Sequence, residues 1–219
     1  MFVGHLGVGF MGKRAYPRPS LATYFVATEL PDFLWSLFVL AGWEQVLITP
    51  GETVVTPLQF VRYPYSHSLV AVAAWGALLG GLYWAFRRDR AGGLWLGALV
   101  VSHWILDVVS HRPDVPLSPG SGAVLGLGLW NSRVATLLVE GGVFALGVWL
   151  YARGAPASDS RGRWGLVVLV ALVSVPWLAS LGGTPPPAVT AVVAANLLGG
   201  SVTVLLAWWV DRHRRPLMT

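Results

Sequence analysis

The sequence predicts an all-α protein: a polytopic transmembrane helical bundle of six full spans plus a short N-terminal helix. Three observations predict it. Of 219 residues, 55% are hydrophobic and only 11% charged, against roughly 25% charged in a soluble globular domain. Apolar runs close to the ~20 residues that cross a bilayer core recur at 21–43, 66–86, 92–111, 131–152, 163–182 and 187–210. The basic residues lie in short clusters between those runs. A soluble cytosolic enzyme and a disordered chain are excluded by this composition. Nucleic-acid binding is not expected despite the net charge of +5, because the charges do not line one face. The chain has no cysteine, so disulfides and thiolate ligands are not available to it.

Residues 1–12 form a shorter apolar run that is followed, not preceded, by Lys13 and Arg14. That is the reverse of a secretory signal, so the run reads as a half-length helix kept in the protein and buried among its neighbours. The run 21–43 contains Glu29 and Asp32, with Pro31 between them. Proline removes a backbone donor and kinks a helix, which a membrane tolerates where the freed groups find partners or line a cavity. The run 66–86 opens with Ser66-His67-Ser68. In the run 92–111, His103, Asp107 and His111 stand at i, i+4 and i+8, a spacing that drifts only ~40° per step and puts all three on one helix face. Glu140 precedes Gly141-Gly142 in the run 131–152, where small residues admit a close neighbour. Past Arg163, the last two runs carry no ionisable residue until Asp211 and read as scaffold. One domain, 1–219, is expected, with site-bearing helices in 1–145 and C-terminal scaffold in 146–219. No internal repeat is evident, which argues against a transporter of duplicated halves.

Orientation follows from Lys and Arg, which accumulate on the cytoplasmic side. Lys13, Arg14, Arg18; Arg87, Arg88, Arg90; Arg153, Arg161, Arg163; and Arg212, Arg214, Arg215 are twelve of the fifteen basic residues and fall on alternate connections. Only Arg62, Arg112 and Arg133 fall on the others. The expectation is a bacterial cytoplasmic-membrane protein, N-terminus out and C-terminus in.

The chemistry lies in the polar residues of the spans. An ionised acid at mid-bilayer costs roughly 2.5–3.5 kcal/mol, and four acids, Glu29, Asp32, Asp107 and Glu140, have no Lys or Arg within the apolar segments to offset them. Histidine accompanies them instead: His5, His67, His103 and His111 are four of the protein's five. Carboxylates among imidazoles without internal cations point to a divalent metal, Zn2+ ahead of Mn2+ or Fe2+. The candidate ligands are His5, Asp32, His67, His103, Asp107 and His111; the alternative for each is a hydrogen-bonded helix contact or a proton relay. Ser66 and Ser68 are candidates for helix capping, ligand support or substrate contact. Glu29 and Glu140 are candidate general bases, and Arg112, beside His111, is a candidate holder of a substrate anion.

Together and in this order these residues resemble the bacterial membrane-bound metal-dependent hydrolase family of the LexA-binding inner-membrane type. Its members carry an N-terminal His, a Pro-Asp-x-Asp segment, a His-Arg-Gly-x-Thr-His-Ser segment and a His-x-x-x-Asp helix. The matching positions are His5, Pro31-Asp32, Ser66-His67-Ser68, and His103 with Asp107, over roughly residues 1–145. The family is remotely similar to zinc-dependent phospholipase C and P1-type nucleases, so the resemblance implies metal-activated water and a membrane lipid or lipid-linked phosphoester as substrate. Two positions depart from the pattern: Leu34 stands at the second Asp and Arg62 at the first His of the third segment. Glu29, His111 and Glu140 are the candidates to complete the coordination. Two other classes would use the same side chains, a metal or proton transporter or permease, and a non-catalytic membrane protein with a structural metal.

Overall fold

A computed structural model describes residues 1–120 and 122–215. Eight helices follow one another among the described residues: α1 (Val3–Ala15), α2 (Leu21–Leu40), α3 (Pro64–His67), α4 (Leu69–Arg87), α5 (Arg90–Ser110), α6 (Arg133–Gly154), α7 (Ser160–Ser180) and α8 (Val189–Arg212). Five of them, α4 to α8, are long and apolar enough to cross a membrane. The sixth expected span, α2, is 20 residues long, but Glu29 and Asp32 dilute its apolarity and it is not among the five. Large apolar side chains such as Leu94, Leu138, Leu198 and Leu205 point outward from the long helices, as spans surrounded by lipid require.

The connections are not wholly irregular, and here the fold departs from all-α. Strands β1 (Gln45–Ile48) and β2 (Leu58–Arg62) pair antiparallel, as do β3 (Val115–Pro116) and β4 (Val124–Leu125). The first hairpin buries Val46 against Trp35 of α2 and Tyr63, so a connection too long to be a tight turn satisfies its backbone by pairing across itself.

Local sequence sets the helix ends. Ser20, Ser68, Asp89, Ser132 and Asp159 each accept the backbone N–H three residues on, capping α2, α4, α5, α6 and α7. Ser68 has extended backbone (φ −73°, ψ 148°) and separates α3 from α4, so the run expected from residue 66 is broken after His67. Likewise α5 stops at Ser110, and His111 is extended (φ −71°, ψ 156°). Pro113 disfavours helical backbone at Arg112, and the chain leaves the helix just before it.

The short α1 is enclosed by α2, α5 and α6, with His5, Leu6, Gly7, Gly9 and Phe10 buried. Its contact with α6 depends on glycine: a Cβ on Gly7 would stand 2.8 Å from the Phe144 Cα, and a Cβ on Gly147 would collide with the Gly7 carbonyl. At one end of the bundle Lys13 is buried, donating to the Pro17 and Pro19 carbonyls (2.9 and 3.0 Å) and pairing with Asp211 at 3.0 Å. Asp211 also accepts from the Leu21 N–H and the Tyr151 hydroxyl, and Arg214 donates to the Ala155 and Gly162 carbonyls. Tyr16 donates to Asp89 at 2.8 Å, adding the α4–α5 turn. All twelve clustered basic residues lie on the segments joined at this end. The hairpins, His67, His111 and the chain's first residues lie at the other.

Candidate metal centre

At that second end, four helices converge on Asp107. From α5, its Oδ2 lies 3.1 Å from His103 Nε2 one turn earlier, and 3.6 Å from His67 Nε2 of α3. Its Oδ1 lies 3.1 Å from His5 Nε2 of α1 and 3.9 Å from His111 Nε2. The Met1 α-amino group donates to the same oxygen and is 2.9 Å from His5 Nε2. Asp32 of α2 closes the group, with its Oδ1 3.3 Å from His67 Nε2 and 3.9 Å from His103 Nε2. His5, His67, His103, Asp107 and His111 are buried, while Asp32 is half-buried. Two triads sharing His103 could each hold a metal ion: His5, His103 and Asp107, and Asp32, His67 and His103, with ligand atoms in each within 4.8 Å of one another.

The outer hydrogen bonds fix which nitrogen of each ring faces inward. His103 Nδ1 lies 2.6 Å from the Thr28 carbonyl, which can only accept, so its proton sits on Nδ1. His67 Nδ1 lies 2.7 Å from Ser66 Oγ, and that hydroxyl is 2.6 Å from Glu44 Oε2. Because the carboxylate can only accept, Ser66 donates to Glu44 and receives the proton of His67. In their neutral forms His67 and His103 would aim Nε2 lone pairs at one another across 3.3 Å, flanked by the carboxylates of Asp32 and Asp107. Lone pairs and negative oxygens so disposed repel unless a cation or proton lies between them, and two imidazoles with two carboxylates form an N/O donor set suited to Zn2+. His111 is held in the same way: its Nδ1 is 3.0 Å from Asp114 Oδ1, which also accepts from Tyr63 at 2.8 Å. Burial, with the charge of Asp114 beside it, pushes the Tyr63 phenol well up, so it remains a donor. His5 stacks on His103 with ring centroids 3.6 Å apart, and its buried Nδ1 has no hydrogen-bond partner among the described residues.

The remaining candidates fall around this centre. Glu140 is fully buried and accepts from Trp130 Nε1 (2.7 Å) and the Phe2 N–H (3.0 Å), holding the start of the chain in place. Glu29 has one buried oxygen, Oε1, without a partner among the described residues. Arg112 pairs with Glu52 and, at 3.3 Å, with Asp114. Ser66 relays to Glu44, and Ser68 caps α4. Sequence reasoning missed Glu44, which is buried and also accepts the Tyr65 and Ser66 N–H groups. A cavity of about 770 Å³ opens beside the centre and is lined by Asp32, His67, Asp107 and His111 on one side.

This fold and site define a class: a polytopic membrane protein with a buried His/Asp centre beside a cavity. The sequence profile of the YdjM inner membrane protein family matches residues 2–182, and the chain belongs to that family. The matched segment includes every residue of the centre; its description names a membrane location and no reaction. No curated protein and no solved structure shows a significant match to the chain.

Proposed function

We propose that the protein is a membrane-embedded, metal-dependent hydrolase of lipid or lipid-linked phosphoesters in the bacterial inner membrane, oriented N-out and C-in. One observation carries the reading: the Nε2 atoms of His67 and His103 lie 3.3 Å apart between Asp32 and Asp107, and His67, Asp32 and Asp107 line a cavity that a substrate could enter. His5, Asp32, His67, His103 and Asp107 would hold the ion or ions, with His111 as a further ligand. A divalent ion there supplies Lewis acidity, lowering the pKa of water and polarising a phosphoryl oxygen. Glu29, whose Oε1 is buried without a partner among the described residues, would be the general base that takes a proton from the attacking water. Glu140 keeps the N-terminal segment, and with it His5, against the centre. The surrounding apolar helices limit bulk water to the cavity side.

Purified protein should contain at least one zinc, manganese or iron ion per chain by elemental analysis and should hydrolyse a lipid phosphoester. Asp107→Asn should reduce bound metal at least tenfold and activity at least a hundredfold, with helicity unchanged. Wild-type metal content in Asp107→Asn would remove Asp107 from the ligand set, and wild-type protein that binds no metal would remove the metal reading. Bound metal without hydrolysis, together with cation flux in liposomes, would replace the hydrolase by a transporter.

A further inference from the structure

We infer that the cavity beside the metal centre is a two-part site for a phosphorylated lipid, in which Arg133 takes the phosphate charge and the α7–α8 turn with the start of α8 forms the wall for the chain. The choice of a lipid phosphate rests on the hydrolase reading; the division of the site into a charged and an apolar part does not.

The cavity changes character from one side to the other. Away from the His/Asp residues, and apart from Arg133, Asn196 and a few hydroxyl side chains, its lining is apolar and includes Trp35, Val55, Phe60, Leu181, Pro186 and Val192. The last three belong to the C-terminal helices and their turn, which the sequence suggests are only scaffold. Their position is fixed by Asn196 of α8, which donates to the Asp32 carbonyl (3.0 Å) and to Ser36 Oγ (2.8 Å). The chain wall is thereby fastened to the same turn of α2 that presents the Asp32 carboxylate. Ala191 and Ala195 line the cavity and are exposed on α8, a helix long and apolar enough to lie among lipid, the natural source of an amphiphile. At about 770 Å³ the volume lies within the roughly 300–1,000 Å³ typical of ligand sites.

Charge then selects the head group. Arg133 lines the cavity, is exposed, and uses Nε to donate to the Val54 carbonyl at 3.1 Å. It makes no ion pair among the described residues, in contrast to Arg112, whose charge is taken up by Glu52 and Asp114. A guanidinium anchored through Nε keeps its two terminal nitrogens for an anion, the geometry that suits phosphate.

The test is titration of the protein in neutral detergent with dodecyl phosphate, inorganic phosphate and dodecanol, followed by calorimetry, with and without a chelator. Dodecyl phosphate should bind at least tenfold more tightly than either control. Ala195→Trp and Thr184→Trp, which fill the chain wall away from the His/Asp cluster, should each weaken it at least tenfold with metal content unchanged. Arg133→Gln should weaken dodecyl phosphate and not dodecanol. Thr184 lies in an exposed turn, so its variant decides the matter if Ala195→Trp does not fold. Unchanged dodecyl phosphate affinity in a folded tryptophan variant, or inorganic phosphate binding as tightly as dodecyl phosphate, would overturn the inference. Wall- and Arg133-dependent binding in a protein that hydrolyses no phosphoester would uphold this site and sink the hydrolase.

Discussion

Which ring nitrogen of His67 faces the centre is set by a residue that does not touch the centre. Glu44 accepts three hydrogen bonds, from the Tyr65 N–H, the Ser66 N–H and the Ser66 hydroxyl, and so commits that hydroxyl to act as acceptor for His67 Nδ1–H. Groups that orient a ligand in this way typically contribute 10–100-fold to metal affinity. Ser66→Ala should therefore weaken metal binding by about that factor, measured by competition with a chelator, with the helical circular dichroism signal intact. Full affinity in Ser66→Ala would mean that packing alone orients the ring. The sequence shows Ser66 and His67 as neighbours, but nothing in it links them to Glu44, which lies across the β1–β2 hairpin. That link exists only because the hairpin folds the chain back on itself, a long-range event with no local period to announce it. Arg133 escaped for a similar reason: it reads as a basic residue at a span end, and only the folded loop at Val54 brings it to a cavity.

At the scale of elements, the site depends on how closely α1 can approach α6. Gly7 and Gly147 leave backbone against backbone there, and His5, two residues before Gly7 in the first turn of α1, is thereby held against Asp107. Gly147→Val should force the pair apart, at a cost of about 1–3 kcal/mol for overpacking, and lower metal affinity although no ligand is changed. Thermal unfolding and metal content measured on the same sample check both halves; normal metal content with lowered stability would show that α1 shifts without taking His5 along. Much of this level was legible. The i, i+4 spacing of His103 and Asp107 places both at one centre, and the short first run is enclosed by its neighbours as its length requires. His111 was legible as a residue but not as a conformation, since it approaches Asp107 from an extended segment that Pro113 takes out of the helix. The hairpins were hidden by their brevity, four and five residues in the longer one, whereas α2 was legible as a helix from the run 21–43 but is too polar to rank with the five others.

Across the whole molecule, charge and chemistry are segregated. The clustered Lys and Arg gather with Asp211 at one end, and the His/Asp centre and its cavity sit toward the other. With the proposed orientation, cysteines introduced at the exposed Arg18, Arg88 or Arg161 should resist an impermeant thiol reagent in intact cells, whereas cysteines at Thr53 or Ser118 should react. Labelling at position 88 would invert the topology. The enclosure of α1 also has a consequence for how the protein is made. Thirteen residues of helix rise only ~20 Å, too short to span a bilayer core of ~30 Å unaided. α1 therefore cannot settle until α5 and α6, which enclose it and follow it in the chain, have been synthesised. Its final seating is a late event in biogenesis, and the histidine it carries reaches Asp107 only when the chain has been translated through α6. A chain interrupted before that point would carry most of the His and Asp side chains without bringing them together, so under the proposed metal reading assembly itself would withhold the site from unfinished protein.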